Sequence, residues 1–180
     1  LAAYTSAIEK LQAAGAIVEK IEAPEVVRAM DLAGALFATE AYGTWREVIE
    51  ANPGLMYDRI LHRFRSGAHT SGPDYVAAWL ELDACRAEWN ARVAGFDAVL
   101  WPTSPVLPPK MDRLIKDEDY FVSENLLTLR NTRVGNLMGG CGVTLPTGTP
   151  SCGILLNGLP HQEERLLLLA CAAEAVLIAD

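Results

Sequence analysis

The apolar positions change period along the chain, and each change marks an element. From Leu1 to Ala14, Tyr4, Ile8 and Leu11 recur at helical spacing, and Gly15 is placed to end that helix. In AIVEKIEAP, Ile17, Val18 and Ile21 are consistent with a short strand closed by Pro24. Glu25 to about Glu50 reads as a long helix, with Gly43 a candidate break and Asn52-Pro53-Gly54 a stop. A shorter helix is expected from Leu55 to Arg65, followed by an exposed loop in SGAHTSGP. The next helix runs to Val93, with Pro73 in its first turn, where a missing N–H costs nothing. Tyr75, Trp79, Leu82, Trp89 and Val93 form one stripe on it, which predicts core contact rather than an aromatic ligand box.

Gly95 ends that helix, and FDAVLWP reads as a short buried strand. TSPVLPPKMD follows, and the four prolines from Pro102 to Pro109 remove donors and fix φ. This is a rigid loop at a strand end, the place where α/β folds put their sites. RLIKDEDYF is polar and is expected to be mobile. A helix from Glu124 to Met138 then leads into two strands, Val143–Leu145 and Ser151–Leu156, joined by the turn PTGTP. A last helix starts near His161, with Glu163 and Glu164 in its first turn favourably placed against the helix dipole. Helices alternating with short strands predict an α/β protein.

Composition narrows the classes. A chain of 180 residues suits one domain or one large lobe, and 51% apolar with 21% charged residues is enough for a real core. Fifteen Lys and Arg against 23 Asp and Glu give a net charge of −8, which disfavours nucleic acid and anionic membrane as partners. Arg59, Arg63 and Arg65 read as a solvated face. The most apolar stretch, Leu166 to Ala179, is interrupted by Glu174 and is shorter than the ~20 residues of a membrane span. Cys85, Cys141, Cys152 and Cys171 show no CxxC spacing and sit mostly in apolar settings, as expected of a reduced, cytoplasmic protein. The first residue is Leu1 rather than Met, and the chain opens directly into a helical pattern, so a fragment or a processed product is expected.

The stretch NLMGGCGVTLPTGTPSCGILLNGLP, Asn136 to Pro160, raises the question of chemistry. A phosphate cradle fails, because GGCGVT follows a helix and precedes a strand, the reverse of the dinucleotide order, and no GK[ST] occurs. A cysteine nucleophile needs a base, and His62, His69 and His161 lie in no recognisable partner motif. The His and Cys spacings match no zinc pattern, and there is no GxSxG elbow around Ser104 or elsewhere. We therefore expect neither metal nor cofactor. The glycines at 139, 140 and 142 most simply let a helix hand over to a strand with close backbone approach, with Cys141 and Cys152 as small apolar fillers.

Several segments, taken in order, carry more. FDAVLWPTSPVLPP resembles the fD-x-hydrophobic-x-x-PT-x-P segment of the amidase signature family. NTRVGNLMGGCGVTLPTG is similar to its T-x-x-x-N-x-x-G-x-P-x-x-x-x-P-x-G, with Asn136, Gly139, Pro146 and Gly148 on matching positions. PSCGILLNGLPHQEERLLLLACAAE resembles the closing P-x-G-x-Q-x-x-G strand, loop and helix. AIEKLQAAGAIVEKIEAPEV is similar to the family's helix–strand unit. Two departures stand out. Gly140-Cys141 stands where the family has x-P with its usual proline after N-x-x-G, and the apolar run GILLNG replaces the Gln of the closing strand.

The resemblance implies that residues 1–180 are the carboxyl-terminal part of an amidase signature domain, in a large mixed β-sheet flanked by helices on both sides. Such enzymes hydrolyse linear amides through a Ser–Ser–Lys triad borne by the amino-terminal half. No Gly/Ser-rich run of that kind appears here, and Lys10, Lys20, Lys110 and Lys116 sit in no matching motif. No catalytic residue is carried over, and this chain alone is expected to be inactive. The residues expected to wall a substrate pocket are Thr103, Pro105, Asn136 and Cys141, with loop geometry and helix capping the competing reading for each. The implied partner is a small-molecule amide, and a piece cut from a continuous sheet is expected to expose an apolar face or strand edge that favours self-association. The alternatives are an amidotransferase A subunit, which works with partner subunits on charged tRNA, and a non-catalytic interaction domain derived from an amidase.

Overall fold

The computed structural model describes residues 1–178. In chain order the helices and strands are α1 (Ala2–Ala13), α2 (Pro24–Ala51), α3 (Asp58–Arg65), α4 (Gly72–Val93) and β1 (Val99–Pro102). They continue with α5 (Met111–Lys116), α6 (Glu118–Thr128), α7 (Arg130–Met138), β2 (Cys141–Pro146), β3 (Gly153–Gly158) and α8 (Glu163–Leu177). The chain divides into two compact units, one of residues 1–22 with 90–180 and one of residues 23–89.

The first unit is built on a three-stranded antiparallel sheet in the order β1-β3-β2. Its centre is β3, buried from Ile154 to Asn157, and for that reason its sequence is a continuous apolar run rather than an alternation. Ile154 and Leu156 face one side, where they join Leu145 of β2, Ala7 and Leu11 of α1, and Leu166, Ala170 and Leu177 of α8. Burying a side chain such as Ile154 or Leu166 stabilises the fold by about 1.5–3 kcal/mol. Leu155 and Asn157 face the other side, towards α7, whose Gly135 abuts the Asn157 amide. Helices therefore cover both faces, in agreement with the expected α/β layering, while the sheet within the described residues is small and antiparallel.

The outer edge of β1 is partly occupied by side chains. Tyr4 donates its hydroxyl to the Leu100 carbonyl at 3.1 Å, and Asn131 Nδ2 donates to the Pro102 carbonyl at 2.7 Å. Pro102 itself has no N–H to offer. Burial beside this edge pushes the Tyr4 hydroxyl above its ordinary titration range.

The second unit is helical. Val26, Ala29, Ala33 and Leu36 recur along the buried stripe of α2, and Ala78, Leu82, Cys85 and Trp89 along that of α4. Arg28 ties the two helices by donating to Glu81 at 3.1 Å and to Glu88 at 2.7 Å. The side chain of Ser71 caps α4 by accepting from the Asp74 N–H at 3.2 Å. The expected stripe on α4 is core at Leu82, Trp89 and Val93. Tyr75 and Trp79 are only half-buried, stacked edge to face at 6.4 Å with Arg86 over the Trp79 ring.

Five sequence expectations are corrected. Residues 16–23 form no strand, because no neighbouring strand in the sheet offers them a ladder, and Ile17 is 89% exposed. Helix α2 passes through Gly43 unbroken, since an exposed glycine weakens a helix by only ~1 kcal/mol and does not stop it. SGAHTSGP is not wholly an exposed loop. Ser66–His69 is a 3₁₀ turn whose Gly67 is buried so closely against the backbone of Ala38 that a Cβ would meet its carbonyl oxygen at 2.0 Å.

RLIKDEDYF is ordered into the end of α5 and the start of α6. Asp117 accepts from the Tyr120 N–H at 3.0 Å and from Arg113 at 3.2 Å, and Arg113 lies 3.9 Å from the Tyr120 ring centre. The Tyr120 N–H and then Arg113 hold the Asp117 carboxyl below its ordinary value. Finally, the helix expected from Glu124 to Met138 is two helices, α6 and α7, that meet at Leu129.

Candidate functional site

At one end of the sheet, β1 is prolonged by one residue. The N–H of Thr103 donates to the Gly153 carbonyl at 2.9 Å, and its Oγ1 lies 3.4 Å from Thr144 Oγ1 on β2. Gly153 sits between these two threonines. A Cβ there would come within 2.7 Å of Thr103 Oγ1 and 2.9 Å of Thr144 Cγ2, so glycine is what allows the hydroxyls to meet. Ser104 accepts from the Val106 N–H at 3.4 Å, which sets the turn, and Pro105 projects into solvent beside it. The β2–β3 turn closes the same end. Thr147 Oγ1 donates to the Cys152 carbonyl at 2.9 Å, and Gly148 supplies the φ of +79° that the turn requires.

At the opposite end, α7 hands over to β2. Gly139 takes a left-handed φ of +70° and ends the helix, and the Gly140 N–H returns to the Gly135 carbonyl at 3.0 Å. Gly140 then passes so near β3 that a Cβ would stand 2.5 Å from the Gly158 carbonyl oxygen. Cys141 opens β2 opposite Gly158, and its thiol donates to the Leu159 carbonyl at 3.4 Å.

Of the four residues the sequence singled out, the structure brings Thr103 and Pro105 to one end, and Asn136 and Cys141 to the other. The register from Gly153 to Gly158 separates the ends by about 16 Å at 3.3 Å per residue. The two ends also differ in face. Cys141 packs on the side of α1 and α8, whereas Thr103 and Thr144 lie on the side of α7. Asn136 is exposed on α7, and its backbone carbonyl accepts from the Gly139 N–H.

Sequence reasoning passed over Asn157. It is only 8% exposed, and its Nδ2 donates to the Cys141 carbonyl at 3.2 Å, while its Oδ1 has no hydrogen-bond partner. Gly135 and Gly142 make room for this amide, since a Cβ at either would stand 3.0 or 2.9 Å from Nδ2. The available signal was a lone amide inside the apolar run GILLNG. Leu155, buried on the same face, occupies the position of the Gln in P-x-G-x-Q-x-x-G.

All four cysteines are free, and among the described residues no group of three or more His, Cys, Asp or Glu is placed to hold a metal ion. His62, His69 and His161 are all exposed. Glu50 and Arg65, whose titration is displaced by their mutual pairing, belong to the helical unit. No described helix is long and apolar enough to cross a membrane.

Comparison with known proteins places this architecture. The family model described as Amidase matches residues 1–167. The 2-amino-5-chloromuconic acid deaminase of Comamonas testosteroni is 29% identical over 182 aligned residues, covering 98% of this chain and 39% of that protein. Among solved structures, an allophanate hydrolase of Kluyveromyces lactis superposes with a TM-score of 0.86 at 18% identity, over 99% of this chain and 30% of that one. A crystal structure of an amidase superposes with a TM-score of 0.79 at 21% identity, over 98% and 41%. The chain thus spans about two fifths of the length of the curated relative it matches.

Proposed function

Because the chain belongs to the Amidase family, we propose that it is the sheet and pocket-wall portion of an amide hydrolase whose nucleophile lies outside these 180 residues. The observation that carries this reading is the pairing of two coverages. Nearly all of this chain aligns with its relatives, and it aligns with only 39% of the deaminase. The motifs that match run in family order from the first helix to the last, and none of them is the Gly/Ser-rich segment that bears the attacking serine.

In the complete enzyme a serine hydroxyl adds to the amide carbonyl while a lysine, acting through a second serine, takes its proton. The C–N bond then breaks, the amine or ammonia leaves with that proton, and water hydrolyses the acyl ester to regenerate the serine. The present residues do none of this bond chemistry. Their part is to hold a wall, with Thr103 and Pro105 at one end of the sheet and Asn136 at the other, while Cys141 supports that second end from the core side. Leu155, in place of the family's Gln, makes the surface beneath α7 less polar. A small, largely apolar amide is the substrate class that fits such a surface. The wall acts in a cytoplasmic setting, which the four free thiols support.

The deciding experiment is to read the coding sequence upstream of Leu1. An open frame carrying a lysine and a Gly/Ser-rich signature is expected, and a stop codon or an unrelated domain would overturn the proposal. In parallel, the 180-residue chain is expected to release no ammonia from aliphatic or aryl amides. Ammonia formed at a rate proportional to protein would place a nucleophile within it.

A further inference from the structure

Helix α7 reaches β1 and β3 on its side of the sheet, through the Asn131 bond to Pro102 and the contact of Gly135 with Asn157. It leaves the same face of β2 open, where Gly142, Thr144 and Pro146 are all exposed. At this open strip the Thr103 and Thr144 hydroxyls stand 3.4 Å apart, diagonally across Gly153. A threonine hydroxyl can donate once and accept twice. Among the described residues, the bond between the two hydroxyls is the one side-chain hydrogen bond that either makes. Thr103 donates it, so the Thr144 O–H is left to donate, and both oxygens keep room to accept.

The residue facing this pair gives the ligand its chemistry. In the register of β2 with β3, Thr144 lies directly opposite Leu155. Side chains so paired have Cβ atoms about 4.5–5.5 Å apart and interact across the strands. Leu155 occupies the position of the Gln in P-x-G-x-Q-x-x-G, so a chain that keeps that pattern presents a carboxamide across from residue 144. A carboxamide has a C=O to accept from a threonine O–H and an NH₂ to donate to a threonine oxygen. Leucine can do neither, so the replacement leaves the hydroxyl pair unmatched beside an apolar side chain. Thr103, Thr144, Gly153 and Leu155 carry no charge. A carboxylate taken from water among them would stand unpaired, which makes it a poor occupant.

We propose that Thr144, acting with Thr103, is a specificity-determining residue of the substrate wall, and that it takes a carboxamide borne by the substrate in addition to the amide that is cleaved. The preferred substrate is then a small neutral diamide whose apolar spacer lies on Leu155. This rests on the reading of the chain as the wall of an amide hydrolase.

The test uses the protein expressed from its complete reading frame and three amides of similar length: succinamide, butyramide and succinamate. Ammonia release gives kcat/KM for each, and wild type is expected to prefer succinamide. T144V, which replaces the hydroxyl with a methyl group, is expected to lower the succinamide-to-butyramide ratio roughly five- to tenfold. T144S should restore the ratio, and L155Q, which returns a protein carboxamide to the facing position, should lower it as T144V does. T44V, at an exposed threonine of the helical unit, should leave it as in wild type. A merely structural effect of T144V would slow both amides together and leave the ratio unmoved. An unmoved ratio overturns the proposal, as does a wild type with no preference for succinamide. A loss confined to succinamate also overturns it, by assigning the hydroxyls to an anion. Hydrolysis of none of the three sinks the hydrolase reading, and the melting temperature then decides the site. A rise with excess succinamide that T144V abolishes keeps the site, and the lack of such a rise removes it.

Discussion

Gly140 is where the helix-to-strand passage is tightest, and replacing it with alanine makes a sharp test of the geometry. The added Cβ would stand 2.5 Å from the Gly158 carbonyl oxygen, against ordinary contact at about 3.4 Å or more. The obstructing atom is backbone, so no rotamer change relieves it, and β2 and β3 must separate by most of an ångström at their first register pair, Cys141 with Gly158. Overpacking of this kind costs about 1–3 kcal/mol. Separation also weakens the bond from Asn157 Nδ2 to the Cys141 carbonyl and the thiol bond from Cys141 to Leu159, each worth roughly 0.5–1.5 kcal/mol. The total is about 2–4 kcal/mol, which for a chain of this size lowers the melting temperature by roughly 5–15 °C. The assay is thermal and urea unfolding of G140A beside wild type, followed by circular dichroism and by tryptophan fluorescence, to which Trp101 of β1 contributes. A melting temperature within about 2 °C of wild type would refute the close approach and, with it, the account of this glycine.

The same substitution in a different setting should have the opposite sign. At Gly34, inside α2 with nothing beyond its chain neighbours and the helix's own backbone within 4 Å of the place a Cβ would take, alanine is expected to stabilise by about 0.5–1 kcal/mol, read as a higher urea midpoint at unchanged slope. The Glu50–Arg65 pair, at 2.6 and 2.8 Å, holds the Glu50 carboxyl below its ordinary value, with Tyr42 adding a hydrogen bond. Its contribution is therefore present above the unfolded glutamate pKa of about 4.3 and is lost as pH falls through the lower folded value. E50Q should melt below wild type at neutral pH, and the gap should close under acid. A gap that persists or widens at about pH 2–3 would contradict the pairing. Thiol labelling under native conditions should rank the cysteines, with exposed Cys171 fastest, half-buried Cys141 and Cys152 slower, and Cys85 slowest. Cys85 is fully buried, and its thiol is pushed up by that burial. Mass spectrometry of quenched samples reads the order directly, and early labelling of Cys85 would show that the core of the helical unit is open.

The helices were the legible part of the fold, because their signals are local. Pro24 and Pro73 near helix starts, Gly139 at a helix end, and apolar residues at three- and four-residue spacing decide a helix with no knowledge of its neighbours. Strands were legible only where the partner strand is at hand. The strand expected at Ser151–Leu156 forms at Gly153–Gly158, where it pairs on both sides, while the equally strand-like residues 16–23 have no ladder and form none. The order in Arg113–Phe121 was missed because it comes from a capping aspartate and an arginine over a tyrosine ring, contacts that composition alone reads as mobile polarity. The family was legible because motif order survives even when each motif is weak.

The candidate site was legible as a set of segments and not as a place. Thr103 and Cys141 each lie in a matched motif, but motif spacing along the chain carries no information about sheet face, and a strand turns alternate side chains to opposite sides. Cys141 shares parity with Val143 and Leu145 and so belongs to the α1–α8 core, while Gly142 and Thr144 share the face of α7. If one face of the sheet walls the substrate, as proposed, Thr103, Thr144, Leu155 and Asn157 share that face, whereas the Cys141 thiol is engaged with Leu159 on the core side. It follows that C141S and N157L should separate in any complex that restores hydrolysis. The serine at 141 changes stability and leaves KM in place, whereas leucine at 157 removes an amide with an unpartnered oxygen from the α7 face and moves KM. KM shifted tenfold by C141S and untouched by N157L would reverse the assignment of the two faces.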